Sequence, residues 1–263
     1  MSLNSLDKII NLKKEKLNSL KNKLNIDDLK NKINKFDKYF DFKKAIENNF
    51  SKGKISLIAE VKKASPSAGV IIEDYNPVDI ASIYEKNKAT CLSVLTEENF
   101  FQGNLDHIIQ IKKQINLPIL CKDFFIDKFQ IPLAKSYGAD AILLIAAALN
   151  AKQLEELYNV ALEYKVSVII EVHTIEEAMQ ISDFDEALIG INNRNLKTLE
   201  TDINNTFEIH KSLSNFKGIL ISESGFKNKE DVLKITKKTN IKTFLIGESL
   251  LRNMEGNSIF SLI

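Results

Sequence analysis

The stretch AILLIAAALNAKQLEELYNVALEYKVSVIIEV, residues 141–172, contains one complete unit of the fold. It opens and closes on short apolar runs of strand length, "AILLIA" from Ala141 and "VSVIIEV" from Val166, with a longer amphipathic segment between them. Asn150 and Gln153 stand at capping-box spacing, where two side chains satisfy the orphan N–H groups at a helix start. Strand, helix start and strand in succession predict a βαβ unit.

The alternation continues in both directions. The further strand candidates are "SLIAEV" from Ser56, "CLSVLT" from Cys91, "PILCK" from Pro118, "ALIGIN" from Ala187, "GILISES" from Gly218 and "TFLIG" from Thr243, which makes eight in all. Thr174 and Glu177 repeat the capping-box spacing. No glycine-rich linker or change of composition after residue 55 marks a second domain. Eight units in about 210 residues fit an α/β fold, a (β/α)8 TIM barrel, whose usual size is ~250 residues. The alternative, an open doubly wound sheet, would carry a dinucleotide or phosphate loop after its first strand, and none is present.

Ahead of the barrel, residues 1–45 read as a charged helical extension, with 46–263 as the barrel and the whole as one structural domain. Leu3, Leu6, Ile10, Leu17, Leu20 and Leu24 approach a heptad seam that Lys13 interrupts. The pattern is too short and broken for a coiled coil. The expected use is packing on the barrel, pinned by Phe36, Tyr39, Phe40 and Phe42, with a role as a lid left open.

Composition narrows the function. The chain has 263 residues, with 36 lysines and arginines against 35 acidic residues and a net charge of +1, so nothing global attracts nucleic acid or an acidic membrane. Any anion site is therefore local. Cys91 and Cys121 lie inside apolar runs without a CxxC companion and read as buried, reduced side chains. No apolar segment approaches the ~20 residues of a membrane span, and the N-terminus lacks a signal-peptide pattern, which predicts a cytoplasmic protein.

In a barrel the active site lies at the C-terminal ends of the strands, and those ends are unusually polar here. Residues 58–67, "IAEVKKASPS", leave an apolar run with Glu60 and Lys62 on one face, since alternate strand residues point the same way, and continue to Ser65. The third strand ends at Lys122, the fifth at Glu171, the sixth at Asn192 and Arg194, the seventh at Glu223 and Ser224. Singly, each is open to reading as a structural ion-pair partner. As an array, so many charges are costly unless a ligand uses them. Lys62, Lys122 and Arg194 oppose Glu60, Glu171 and Glu223, a mixed network suited to acid–base work. Two glycine-bearing turns, "SESGF" and "LIGESL", stand where barrels often hold phosphate on backbone N–H groups, which makes Ser224, Gly225, Gly247 and Glu248 candidates. The Glu248 carboxylate would repel phosphate, so its contribution must come through the backbone, with Ser65 adding a hydroxyl. His173 shares the parity of Glu171 and is open to reading either as a mouth residue or as part of the next helix start. No HExxH, GxSxG or P-loop pattern occurs, so no metal and no cofactor is expected.

These motifs together resemble indole-3-glycerol-phosphate synthase, a family of tryptophan biosynthesis. The likeness is carried in order by "IAEVKKASPS", "LSVLTEENFFQG", "LPILCKDFFID", "GADAILLIAAAL", "IIEVHTIEEA", "IGINNRNLKTLETD", "ISESGF" and "FLIGESLLRN". It implies a barrel with an N-terminal helical segment, and a carboxy-lyase that turns 1-(2-carboxyphenylamino)-1-deoxyribulose 5-phosphate into indole-3-glycerol phosphate with loss of carbon dioxide and water. By motif, the resemblance makes Lys122 the general acid at the ketone oxygen, and Lys62 and Arg194 the holders of the carboxylate. Glu171 and Glu60 are candidates for the base, with Glu223 and Asn192 as orienting groups. Ser65, Gly225 and Gly247 would take the phosphate, and Phe101, Phe124, Leu143 and Ile145 would wall the aromatic ring. The implied partner is this small phosphosugar-anthranilate substrate, with no nucleic acid and no membrane, and a monomer is expected, with a homodimer as the alternative.

Three positions depart from the family pattern: Ala68 replaces a basic residue in the first loop, Phe226 replaces isoleucine, and Pro132 falls in the presumed third helix. Proline inside a helix costs ~3 kcal/mol, so a kink or a late start is expected there. Rival readings are a Schiff-base aldolase using Lys122 or Lys62, a non-catalytic phosphosugar-binding protein, and an assembly module built on the N-terminal heptads.

Overall fold

The computed structural model describes residues 5–181 and 183–263; Leu3 of the expected seam lies outside them. Three helices come first, α1 (Ser5–Lys21), α2 (Ile26–Lys35) and α3 (Phe42–Ser51). Eight strands then close into a barrel: β1 (Ser56–Val61), β2 (Cys91–Leu95), β3 (Ile119–Lys122), β4 (Ala141–Ile145), β5 (Ser167–Val172), β6 (Leu188–Asn192), β7 (Leu220–Glu223) and β8 (Thr243–Ile246). All pairings are parallel between consecutive strands, and β1 closes the ring by pairing with both β2 and β8. Each of the eight apolar runs is a barrel strand. The outer helices are α4 (Pro77–Lys86), α5 (Asp106–Lys112), α6 (Gln130–Ser136), α7 (Ala151–Glu163), α8 (Ile175–Met179), α9 (Asn204–Ser212), α10 (Lys229–Thr239) and α11 (Glu248–Arg252).

Strand parity divides the core in two. Leu57, Ala59 and Val61 of β1 face the helices in the larger cluster, while Ile58 points inward to meet Cys91, Leu120, Leu143, Ile169, Leu188, Ile221 and Leu245. Glu60 inherits the inward direction. The two cysteines are buried and unpaired, Cys91 within the barrel and Cys121 against the helices.

Local chemistry accounts for the helix starts. Gln153 N–H donates to Asn150 at 2.9 Å and Asn150 N–H donates to Gln153 at 3.1 Å, a full capping box ahead of α7. At α8 the box is modified: Glu177 N–H donates to Thr174, but the Glu177 carboxylate accepts from His173 N–H at 2.7 Å instead of from the cap residue. Pro132 is the third residue of α6, in the first turn, where a missing N–H breaks no helical bond. Phe226 packs edge-on against Phe244. One element had no sequence signal, a hairpin pairing Ala64–Ser65 with Gly69–Val70. No helix among the described residues is long and apolar enough to cross a membrane.

The N-terminal segment grips the barrel at both ends. On α1 the buried side chains are Ile9, Lys13 and Leu17, one helical turn apart, so the lysine that breaks the apolar seam belongs to the buried face. Its ammonium meets Asp123, just after β3, at 2.5 Å. Lys21 pairs with Asp127 at 2.5 Å, and Lys16 pairs with Glu98 after β2. Leu29 of α2 then packs with Leu17, Phe129 and Leu133 beside α6. Residues 36–41 cross to the barrel base: Tyr39 donates to the Lys135 carbonyl at 2.8 Å, and Phe40 N–H donates to Asp140 at 2.7 Å. Finally Phe42 and Ile46 of α3 fill the lower interior among Ile58, Cys91 and Leu120. The expected boundary near residue 45 thus falls inside α3.

Asp140 anchors the base of this clasp. Its buried carboxylate pairs with Lys112 and accepts from Phe40 N–H and Ile119 N–H. Burial pushes the Asp140 carboxyl up and the Lys112 ammonium down, each against the pull of the other. Removing Asp140 would strand the Lys112 charge and two backbone donors. Asp140→Ala is expected to cost ~3–5 kcal/mol of unfolding free energy in urea titration; a loss below ~1 kcal/mol would show that the base does not depend on it.

Candidate active site

The inward parity of β1, β3, β5 and β7 carries Glu60, Lys122, Glu171 and Glu223 to one level at the C-terminal mouth. Lys122 Nζ lies 2.9 Å from Glu223 and 3.2 Å from Glu171. Across from it, Lys62 Nζ is 2.5 Å from Glu60. All are buried or nearly so: the carboxylate side chains of Glu171 and Glu223 are 4% and 0% exposed, and that of Lys122 is 16% exposed.

Burial alone would drive each of these groups toward neutrality, and the cluster decides the outcome. For Lys122, burial pulls the ammonium down, but Glu223, Glu171 and Glu60 outweigh it and hold the group well above its ordinary range. Burial raises the Glu171 carboxyl, yet the charges of Lys122 and His173 bring it below the usual value. Glu60 is likewise lowered, with Lys62 and Lys122 overcoming its burial. Glu223 goes the other way: burial and the Glu171 charge prevail over Lys122 and push it up to about 7. Two adjacent carboxyls driven apart in this fashion leave Glu223 the more readily protonated of the pair and Glu171 the ionised one.

Glycine makes room for these acids. A Cβ on Gly190 would collide with Glu223 Oε1, and one on Gly247 would come within 2.5 Å of Glu60 Oε1. Gly190 is the register partner of Glu171, so the gap it leaves is where Glu223 reaches its neighbour. Neither requirement is visible along the chain, because the clashing groups lie on other strands.

Above the charges is a cavity of about 160 Å³, walled by Leu95, Phe101, Phe124, Leu143 and Ile145 and roofed by Leu6 and Ile9 of α1. Phe101 and Phe124 face each other at 6.4 Å between ring centres. The loop bearing Phe101 is shaped by buried Glu97, whose carboxylate accepts from the N–H groups of Asn99, Phe100 and Phe101. Ser65 and Asn192 line the same cavity. A more open arm of about 560 Å³ shares Glu60, Lys62, Arg194 and Ser224, and is lined further by Gly225, Gly247 and Glu248.

The structure therefore brings together the residues singled out in the sequence, with particular duties for several. Arg194 donates to the Leu199 carbonyl at 2.6 Å and to Ser67 at 3.2 Å, and its own N–H donates to Asn192 Oδ1 at 2.9 Å. Ser65 Oγ accepts from Ala68 N–H at 3.2 Å, closing the first loop. The Glu248 carboxylate is drawn aside by Arg252 at 2.8 Å, which leaves its backbone at the turn. Ser224 and Gly225 take φ of 67° and 85°, the left-handed region, unusual for serine. Behind them stands Asn193, whose neighbour alone had been read from the sequence. Its amide donates to the Ser224 carbonyl at 3.1 Å and its Oδ1 accepts from Thr206 Oγ1 at 2.8 Å.

The chain is similar to known proteins along almost its whole length. A family model described as indole-3-glycerol phosphate synthase matches residues 6–261. The indole-3-glycerol phosphate synthases of Clostridium acetobutylicum and Alkaliphilus metalliredigens are 44% and 43% identical, over 95% and 94% of this chain and 93% of each relative. That of Prochlorococcus marinus is 42% identical over 98% of this chain and 88% of its own length. Among solved structures, the tryptophan synthase alpha subunit of Legionella pneumophila superposes with a TM-score of 0.60 at 13% identity, covering 80% of this chain and 87% of that one, a likeness of fold.

Two outcomes follow for the acid pair. The Glu223 carboxyl, ordinarily at 4.5, sits at about 7 in the fold. The stability tied to its protonation is therefore full below pH 4.5 and is lost as the pH rises to about 7. Glu223→Gln should raise the melting temperature relative to wild type more at pH 8 than at pH 5, and an equal shift at both would contradict the assignment. Gly190→Ala should cost ~1–3 kcal/mol by overpacking and suppress turnover together with it, measured by thermal melts and product formation.

Proposed function

The chain belongs to the indole-3-glycerol phosphate synthase family, and we propose that its barrel mouth closes the indole ring by acid–base chemistry shared among Lys122, Lys62 and the surrounding carboxyls. The substrate is 1-(2-carboxyphenylamino)-1-deoxyribulose 5-phosphate. The reaction is a decarboxylating carbon–carbon lyase step of tryptophan biosynthesis. The observation that carries the mechanism is the Lys122 ammonium clamped between Glu171 and Glu223 beneath an apolar-walled cavity.

The phosphate rests in the open arm, on the backbone of the Ser224–Gly225 and Gly247 turns, with Ser65 at the inner edge. The aromatic ring occupies the apolar cavity between Phe101, Phe124, Leu143 and Ile145. Lys62 and Arg194 hold the carboxylate. The ring carbon that carries this carboxylate attacks the ketone carbon, and Lys122 gives its proton to the ketone oxygen, which becomes a hydroxyl. The bond to the carboxylate then breaks, carbon dioxide leaves, and its electron pair restores the aromatic ring. In the last stage the hydroxyl leaves as water with a proton from the lysine side of the site, where Lys62 is placed to assist. The neighbouring methylene carbon gives up a proton to Glu171 or Glu60. The low-dielectric walls strengthen each charged contact along this course.

A Schiff-base aldolase would need Lys122 as a free amine, whereas the three carboxyls hold it as an ammonium. All of the groups come from one chain, so a monomer suffices.

The first test mixes purified protein with the carboxyphenylamino-deoxyribulose phosphate, without added cofactor, and follows indole fluorescence. Lys122→Met should lower turnover by ~10²–10⁴-fold while changing substrate affinity only a few-fold. Near-normal turnover of that variant would remove Lys122 from the role of acid.

A further inference from the structure

The reaction has a proton deficit that the site must meet, an argument that rests on the function proposed above. Two protons are donated in each cycle, one to the ketone oxygen and one to the departing hydroxyl. One is recovered from the methylene carbon, and the ionised carboxylate leaves as neutral carbon dioxide. Each turnover thus draws one proton from solvent. Lys122 lies at the bottom of a cavity that α1 roofs and the substrate fills, so the return needs another way in.

The structure offers one beside Glu171. His173 follows β5 and is 9% exposed. Its Nε2 lies 3.3 Å from Glu171 Oε1, the oxygen opposite the one that holds Lys122, and its Nδ1 lies 3.6 Å from Glu177 Oε2. Both ring nitrogens are buried and neither makes a hydrogen bond, an unusual state for a buried imidazole placed between carboxylates. The Glu177 side chain is 21% exposed. On the outer side His173 also borders a cavity of about 740 Å³, with Glu200, Asp202 and Glu208 around it.

We propose that His173, with Glu177 behind it, is the proton-return path of the site, carrying one proton per turnover from solvent through Glu171 to the spent Lys122 amine. Glu177 or cavity water protonates Nδ1, Nε2–H passes its proton to Glu171 Oε1, and the protonated carboxyl, turning about its Cγ–Cδ bond, delivers that same proton to Lys122 Nζ. The ammonium is restored, and nothing is oxidised or reduced. His173 touches no reacting atom, so it is a positioning and relay residue. The groups facing the imidazole fit this use: Glu171 from β5, Glu177 from α8 and Glu223 from β7, with the Lys122 cation beyond Glu171. From α9 comes a neutral group, the Asn205 amide, which donates to the His173 carbonyl at 3.2 Å and fixes the backbone there. The three carboxyls overcome burial and favour the protonated ring.

Steady-state kinetics of wild type, His173→Asn and Glu177→Gln between pH 6 and 9 test the path. His173→Asn is expected to keep KM within about twofold and to lose ~10–100-fold in kcat, a loss that deepens with rising pH as solvent protons become scarce. Part of it should return linearly with added imidazole buffer. Glu177→Gln should move in the same direction by less. Unchanged kcat in both variants, or a loss equal at every pH and indifferent to buffer, would overturn the relay. A wild-type protein that makes no indole product would instead overturn the reaction itself, and the relay with it.

Discussion

Keeping an ammonium charged inside a barrel is the constraint from which the rest of this mouth follows. Lys122 is buried deeply enough that desolvation alone would strip its proton, and a neutral amine is no acid. Three carboxyls reverse the balance. Those carboxyls are buried too, so they in turn need cations, space and one shared proton. Lys62 answers Glu60 directly. Glu171 and Glu223 share Lys122, and because one cation cannot fully compensate two anions, Glu223 rises toward neutrality. The glycines at positions 190 and 247 complete the arrangement, since any side chain there would occupy the volume of a carboxyl.

The two ends of the barrel use buried charge in opposite ways. At the base, Asp140 is saturated by Lys112 and two backbone donors, which fixes residues 36–41 and the start of β3 in one arrangement. At the mouth, Glu223 Oε1 and both His173 nitrogens are buried without a hydrogen-bond partner. Saturated polar groups specify structure, whereas unsatisfied ones store a demand that a substrate or a proton can meet. The N-terminal segment links the two regimes. Its α3 plugs the base with Phe42 and Ile46, and its α1 lays Leu6 and Ile9 over the mouth.

The strands were legible because their signal is local: each is a short apolar run bounded by polar residues, and parity then names the inward positions. That logic was enough to gather Glu60, Lys62, Lys122, Glu171, Asn192 and Glu223 before any coordinate. What stayed hidden depends on partners distant in sequence. Lys13 looked like a flaw in a heptad because its partner, Asp123, lies on the far side of the barrel's first half. Gly190 read as an ordinary strand residue, because the acid that needs its missing side chain stands on β7. Glu248 looked hostile to phosphate, and only the helical turn to Arg252 shows where its carboxylate goes. The hairpin after β1 and the Asn193–Thr206 contact carry no periodic pattern at all.

Decarboxylation and proton uptake make contrary demands on the mouth. Loss of carbon dioxide from a carboxylate is favoured in a dry, apolar enclosure, where the leaving group's charge is no longer solvated. Proton uptake needs contact with water. An enclosure open at the top would serve the second at the expense of the first. Here α1 and the aromatic walls cover the apolar cavity, and a polar cavity lies lateral to the barrel, between the loops that follow β5 and β6, where His173 borders it. His173 borders that cavity on one side and Glu171 on the other. In the proposed relay, an imidazole that moves protons and not water would let Lys122 be recharged from behind without wetting the apolar walls of the cavity.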